Sequence, residues 1–440
     1  MDIKKIYEIY RKHPVITTDS RDCPEGSIFV ALKGETFDGN RFAAVALSKG
    51  CSYAIIDNPE YDTDNRCLLV EDALQTFKDL AREHRRQFDI PVIGVTGTNG
   101  KTTTKELLAA VLAQQFNVHC TQGNFNNDVG VPKTLFQLRP EHEIAVVEMG
   151  ASHPGDIKTL AETAEPTCGL VTNVGRAHLQ GFGSFEGVKH TKGELYDYLI
   201  GKGQMRNDDS LPVFINADNA DLMEMARERN IPCLIKYGKD TEDKVSVRGR
   251  VIGCAPFLHF SWHADGGGEH EVTTNMIGSY NIDNMLAAIA VGLYFGVPED
   301  KICHALADYV PTNNRSQMTV TAHNRLIVDA YNANPSSMKA AIESLVDMNV
   351  PSKMAILGDM MELGAASREE HQRVVDMLAA RGVEDVWLVG EKFGDTECRF
   401  RKFRDIGEVR AEIAVNRPDG KCILIKGSNG MRLFTLPELL

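Results

Sequence analysis

The chain has 440 residues, 43% of them hydrophobic and 25% charged, with a formal net charge of −13. That length has room for about two to four domains of ordinary size. The acidic balance excludes a broad nucleic-acid surface, no apolar run approaches the length of a membrane span, and ten cysteines without a CxxC pair argue against structural zinc and for a reducing cytoplasm.

Residues 1–14 carry Ile3, Ile6, Tyr7, Ile9 and Tyr10 at helical spacing and read as an amphipathic helix; they lack the apolar centre of a signal peptide. Up to residue 88 the pattern is that of a small α/β domain. Short β-rich runs at 27–32, 53–57 and 67–70 precede a helix over 72–88, with Asp72 as its cap. Two polar signatures lie among the strands, one at Thr18-Asp19-Ser20-Arg21 and one ending in Phe37-Asp38-Gly39-Asn40. By residue type alone both are turn chemistry.

A central domain is expected over 89–312. It opens with the apolar run 92–95, then Thr96-Gly97-Thr98-Asn99-Gly100, then Lys101-Thr102-Thr103 and a helical pattern through Leu107, Leu108, Val111 and Leu112. A buried strand, a glycine turn and a helix start leave backbone N–H groups around a concavity at the positive end of a helix dipole, which favours phosphate. Lys101 adds charge for the outer phosphates, and the Thr102 hydroxyl suits Mg²⁺. An Asn-Gly hairpin is the bland alternative, but the following periodicity is helical. The usual P-loop has a further glycine where this chain has Val95, so the loop is a compact variant.

Strand-like runs at 144–149, 168–173, 211–216 and 233–237, with helical stretches between, predict a doubly wound, mostly parallel sheet. Ligands collect at the C-terminal ends of such strands. Residues 245–277 read as a small antiparallel hairpin insert, and 280–292 return to helix. Over 313–440 the alternation restarts, with strands at 326–329, 354–357, 386–389 and 422–425 and helices at 336–345 and 368–380. This second doubly wound domain is Rossmann-like but has no phosphate loop of its own.

Several residues fall where chemistry would be done. Glu148 closes a strand beside the phosphate loop and is placed to hold Mg²⁺, although a surface glutamate is an equal alternative on residue type. The loop 123–132 packs Asn124, Asn126 and Asn127 together, a density of amides suited to a polar ligand. His178 ends a glycine-bearing loop on the ligand face and makes a second metal site plausible. Lys192, in Lys-Gly-Glu-Leu, is by default a solvated helix-start lysine. Arg315 sits at the joint between the second and third domains, and Asp329 ends a strand.

TGTNGKTTTKE, GNFNNDVGVP, EMGA, TNVGRAHLQGFGS, KGEL, GSYNIDNMLAAIA and DAYNANPSSM occur in that order, and together they resemble the Mur ligase family, ATP-dependent enzymes that build the peptidoglycan precursor peptide. The resemblance runs from Thr18 to about residue 430. Asp19-Ser20-Arg21 and Phe37-Asp38-Gly39-Asn40 resemble a uridine-binding domain, and DAYNANPSSM resembles the member that joins D-alanyl-D-alanine to UDP-MurNAc-tripeptide. The DNPR motif of the diamino-acid-adding member is absent.

The resemblance implies three domains: a UDP-binding domain over 1–88, an ATP-binding domain over 89–312 and a ligase domain over 313–440. It implies catalytic roles for Lys101, Glu148, His178, Lys192 and Arg315. ATP phosphates would be held by Lys101 and the backbone of Gly97, Thr98, Asn99, Gly100, Thr102 and Thr103. One Mg²⁺ would sit on Thr102 and Glu148, a second on His178 and a carbamylated Lys192. Asn281 and Asn284 match adenine-side asparagines, and Arg315 and Asp329 match nucleotide contacts around the third domain. Ser20, Arg21, Asp38 and Gly39 are expected on UDP, Asn126 and Asn127 on the muramoyl peptide, and Asn334 and Ser337 on the incoming dipeptide. A cytoplasmic monomer is the family expectation. A sister ligase of the same chemistry, or a non-ligase P-loop protein, would be the other readings; the latter has no use for the lysine of KGEL.

Overall fold

Short continuous apolar runs and helical stripes alternate along the chain, and they build three β-sheets in three successive stretches of sequence. The structure, a computed structural model, describes residues 2–34, 36–206, 211–311 and 317–440. The architecture is α/β, with sheets that are mostly parallel.

The first sheet orders its strands as Ile16–Thr17, Ile28–Val30, Tyr53–Ile56 and Cys67–Leu69, all parallel. Phe29, Ala31, Ala46, Leu47, Ala54 and Ile56 form its core. Helix Ala73–Arg85 starts where expected: the Asp72 carboxylate accepts the Gln75 N–H at 2.8 Å. Helix Ile3–Lys12 buries Ile6 and Tyr10 on one face.

His84 is buried near the end of helix Ala73–Arg85. Its Nδ1 accepts from the Tyr7 hydroxyl (3.1 Å), and its Nε2–H donates to the Leu138 carbonyl (3.3 Å). Burial pushes the imidazole down to about 4, with the Leu138 hydrogen bond opposing the shift. A folded pKa below the unfolded one means that protonation favours unfolding. Stability is therefore complete above the unfolded pKa of about 6.5 and declines as pH falls towards 4, with a limiting slope of about 1.4 kcal/mol per pH unit. Urea midpoints measured across this window are expected to fall in the wild type and to flatten in His84→Gln. Equal slopes in the two proteins would assign the acid limb to other groups.

The second sheet has nine strands. In spatial order they are Glu269–Ile277, Phe257–Ala264, Val247–Cys254, Leu234–Gly238, Val213–Asn216, Cys168–Val171, Val92–Thr96, Ile144–Glu148 and Val118–Cys120. Pairing is parallel from Cys168–Val171 through Val247–Cys254 and antiparallel among Val247–Cys254, Phe257–Ala264 and Glu269–Ile277. The stretch expected to form a small antiparallel hairpin insert is antiparallel within itself and extends the central sheet. It covers the open hydrogen-bonding edge of Leu234–Gly238, which would otherwise be a site for unwanted strand pairing.

The third sheet orders Gln317–Val320, Arg325–Asp329, Cys422–Lys426, Lys353–Gly358, Asp385–Val389 and Arg401–Phe403, parallel except for the first pair. The last strand in sequence lies inside the sheet and is buried throughout. Separate apolar clusters, one around Met338, Leu357 and Phe393 and one around Ile356, Ile425 and Leu433, cover it. The two edge strands escaped the sequence pattern because they are short and half polar, as edges tend to be.

The chain divides into two compact units: residues Met1–Gly94, Asn117–Gly150 and Asp156–Thr167 in one, and Val95–Phe116, Ala151–Gly155 and Cys168–Leu440 in the other. Among the described residues, no helix is long and apolar enough to cross a membrane.

Candidate functional site

The phosphate loop has the form its sequence requires. Strand Val92–Thr96 is fully buried and helix Lys101–Leu112 begins directly after Gly100. Gly97 and Gly100 adopt φ of 143° and 78°. Gly97 has a second reason to be glycine, since a Cβ there would come within 2.0 Å of Thr172 Oγ1. The Thr98 and Asn99 N–H groups do not face an open concavity. They donate to the carbonyl and the side-chain oxygen of Asn173, both at 2.9 Å. The first helical turn, from Gly100 to Thr103, is where a helix start lacks intrahelical acceptors and favours an anion. Lys101 folds back over the loop, its Nζ donating to the Gly97 and Thr98 carbonyls at 2.9 and 3.1 Å. Thr102 is buried at the helix start.

The same asparagine binds a second loop to the first. Asn173 Nδ2 and Thr172 Oγ1 both donate to the Asn99 carbonyl, at 3.1 and 2.6 Å, and the Gly175 N–H donates to Thr98 Oγ1 at 2.9 Å. Three residues on, His178 stands at φ 51° with its Nδ1 against the Glu362 carboxylate. Burial holds the His178 imidazole below its usual range; Glu362 opposes that shift, and the charges of Lys101 and Lys192 add to it. His178, Lys101 and Lys192 are therefore electrostatic neighbours. Lys192 is not the solvated lysine its position in a helix start allowed. It is buried in helix Phe185–Arg206, with Nζ 5.5 Å from the Phe182 ring centroid.

Glu148 is 1% exposed at the end of strand Ile144–Glu148. Its Oε1 accepts from Asn126 Nδ2 at 2.8 Å, while Oε2 is buried without a hydrogen-bond partner. An ionised carboxylate oxygen left bare in the interior is costly unless a cation completes it. Glu148 thus fits a metal ligand. Among the described residues no cluster of three or more His, Cys, Asp or Glu side chains could hold a metal by itself. Asn127 is occupied differently: its Oδ1 accepts the Gly130 N–H at 2.8 Å and fixes the entry to helix Gly130–Leu135.

The remaining expected residues divide into two sets. Asn281 and Asn284 are buried in a relay: Asn281 donates to the Ile277 carbonyl (2.7 Å), Asn284 to Asn281 (2.8 Å), and Thr104 to Asn284 (3.0 Å). This joins helix Ile282–Tyr294 to the helix of the phosphate loop. Asn334 and Ser337 form a reciprocal capping box for helix Pro335–Asp347, and Asn334 Nδ2 also donates to Asn99 Oδ1 of the phosphate loop at 2.7 Å. Asp329 accepts from Lys426 Nζ at 2.6 Å. Lys426, 1% exposed, was missed in sequence; a lysine closing an apolar run was the available signal.

In the first domain, Arg21 is exposed and clasps Asp19 at 2.7 Å, the Ser20 carbonyl accepts from Lys49, and Asp38 caps the turn at Asn40. Asn40, fully buried, bridges Asp38 and Asp57 and holds the Phe37–Asn40 turn in shape. Arg315 lies outside the described residues.

Comparison with known proteins follows this geometry. Residues 95–292 match the Mur ligase middle domain, 314–429 the Mur ligase glutamate ligase domain, and 14–88 the Mur ligase family catalytic domain. The UDP-N-acetylmuramoyl-tripeptide–D-alanyl-D-alanine ligase of Bacillus subtilis is 33% identical over 433 residues, covering 95% of this chain and 91% of that protein. Its namesake from Escherichia coli is 35% identical over 379 residues, covering 86% and 81%. Among solved structures, MurF from Acinetobacter baumannii superposes with a TM-score of 0.86 at 30% identity, covering 96% of this chain and 92% of that one. MurF from Thermotoga maritima, solved with ADP, gives 0.85 at 28%, covering 97% and 96%. With all three domains matched and relatives aligned along nearly their whole length, the chain belongs to the Mur ligase family.

Proposed function

We propose that the protein is an ATP-dependent ligase that joins D-alanyl-D-alanine to UDP-MurNAc-tripeptide, giving UDP-MurNAc-pentapeptide, ADP and phosphate. The observation that carries this reading is the Asn99–Asn334 contact. It places the DAYNANPSSM stretch, the most ligase-specific segment of the chain, directly on the phosphate loop. Near-full-length similarity to ligases of that name supports the same substrates, and the ADP-bound relative supports ATP as the nucleotide.

In this mechanism a carboxylate oxygen of the tripeptide's terminal residue bonds to the γ-phosphorus of ATP as the β,γ-bridge breaks, so that ADP leaves and an acyl phosphate is formed. The dipeptide amine then attacks the acyl carbon, loses a proton, and phosphate departs as the amide forms. The first turn of helix Lys101–Leu112 and the Lys101 ammonium hold the phosphates and stabilise the charge that moves onto the β-phosphate. Thr102 and Glu148 would hold one Mg²⁺, and His178 with a carbamylated Lys192 a second. When bound, these ions offset the repulsion between two anionic reactants. Asp329, held by Lys426, would take the ribose. Arg315 would bridge to the phosphates, and Ser20, Arg21, Asp38 and Gly39 would line the uridine end. The ten cysteines are all free, which supports a cytoplasmic setting.

A substrate-swap assay tests the assignment. ADP release is expected with UDP-MurNAc-tripeptide plus D-alanyl-D-alanine and not with the dipeptide precursor plus a diamino acid. The reverse pattern would make the chain the diamino-acid-adding sister enzyme.

A further inference from the structure

His178 does not stand alone in its loop, and the residue that meets it comes from a segment to which the mechanism above gives no task. Strand Lys353–Gly358 runs into Asp359-Met360-Met361-Glu362, and the first three of these are pinned in succession. The Asp359 carboxylate accepts the Lys392 and Phe393 N–H groups at 3.0 and 2.9 Å. The Met360 N–H donates to Nε2 of fully buried His371 at 3.0 Å, and the His371 Nδ1–H is anchored on the Ser367 carbonyl at 2.7 Å. The Met361 N–H donates to Ser428 Oγ at 3.1 Å.

The next residue, Glu362, is delivered at φ 65°, a left-handed conformation in which a glycine would be the unstrained choice. A turn alone would not call for a glutamate there. The strain is matched on the other side, where His178 is also left-handed. A second ion pair, Arg176 to Glu370 at 3.3 Å, joins the same two segments beside the first.

We propose that Glu362 is a positioning residue for His178: its carboxylate accepts the Nδ1–H and so leaves Nε2 as the nitrogen that can serve a cation. An imidazole that serves a cation through one nitrogen needs an acceptor on the other to fix the tautomer and ring orientation. Glu362 supplies that acceptor, and the rigid Asp359–Met361 stretch, buttressed by His371, keeps it in place. The catalytic consequence rests on His178 being a metal ligand; the tautomer does not.

The test is a ring-nitrogen measurement on the full chain labelled with ¹⁵N-histidine, with His178 assigned from the resonances lost in His178→Gln. The wild type is expected to show His178 as Nδ1–H, and so is Glu362→Gln, whose amide oxygen still accepts. Glu362→Ala and Glu362→Gly are expected to lose that preference. The glycine variant relieves the left-handed strain and so keeps the fold. In both, kcat is expected to fall about tenfold to a hundredfold with a raised Mg²⁺ requirement, partly restored in Glu362→Gln. An unchanged tautomer in the glycine variant overturns the inference, whatever the activity. A changed tautomer with an unchanged Mg²⁺ requirement upholds the positioning of the ring and overturns instead the reading of His178 as a ligand.

Discussion

Glu148→Gln is expected to abolish ligation while leaving the protein at least as stable as the wild type. Glu148 is 1% exposed, and one of its oxygens has no partner. In the folded chain that oxygen carries part of a full negative charge in a place water does not reach. Replacing the carboxylate by an amide of the same shape keeps the bond from Asn126 and exchanges a charged orphan for a neutral one. Unsatisfied buried groups cost about 1–3 kcal/mol, and more when charged, so the substitution removes a penalty. Residues retained for chemistry at the expense of folding behave this way. Activity is expected to drop by roughly two to three orders of magnitude, about 3–4 kcal/mol of transition-state stabilisation. Urea unfolding together with ADP release measures both. A variant that is clearly destabilised, or that retains activity within tenfold of wild type, would refute the reading of Glu148 as a metal-binding carboxylate.

Lys192→Ala is expected to lose roughly a thousandfold in ADP release if, as proposed, the second Mg²⁺ sits on a carbamate at the end of that side chain. Carbamylation would turn the Lys192 ammonium into a carboxylate-like group near the Lys101 ammonium and the His178 imidazole, which act on one another electrostatically. The alanine variant leaves a void in a buried position, and a short carboxylate such as acetate can enter it. Partial recovery of activity with acetate, saturating with concentration, is the expected signature of a missing anion. A near wild-type rate would remove Lys192 from the mechanism altogether. A deep loss that acetate does not repair would point to a lysine acting as a cation.

The sequence showed the parts of this site that are local. Gly97, Gly100, Lys101 and Thr102 sit within one turn of chain, and their residue types dictate a strand, a glycine turn and a helix start. Asp72 was legible as a cap for the same reason. What sequence could not show was pairing across distance. Asn173 takes two N–H groups of the phosphate loop from more than seventy positions away. Lys426 meets Asp329 across a separation of 97 residues. Glu362 looks like an ordinary surface glutamate until the fold brings it to His178. Asn334 and Ser337, expected on the incoming dipeptide, form a capping box that Asn-Pro-Ser-Ser favours by residue type, with the contact to Asn99 as the part no local pattern reveals. The three antiparallel strands were legible as strands, but their place at the end of the central sheet depends on which edge was left open.

The amide contact between Asn99 and Asn334 also has a thermodynamic consequence. One asparagine belongs to the loop expected to hold nucleotide, the other caps the helix expected to face the amino substrate. A ligand that strengthens or breaks this contact at one end changes the free energy of the arrangement seen by a ligand at the other. Linkage is reciprocal, so whatever factor nucleotide imposes on dipeptide affinity through this bond, the dipeptide must impose on nucleotide affinity in turn. Cooperative binding of the two substrates, equal in size whichever binds first, would then follow from a single shared hydrogen bond.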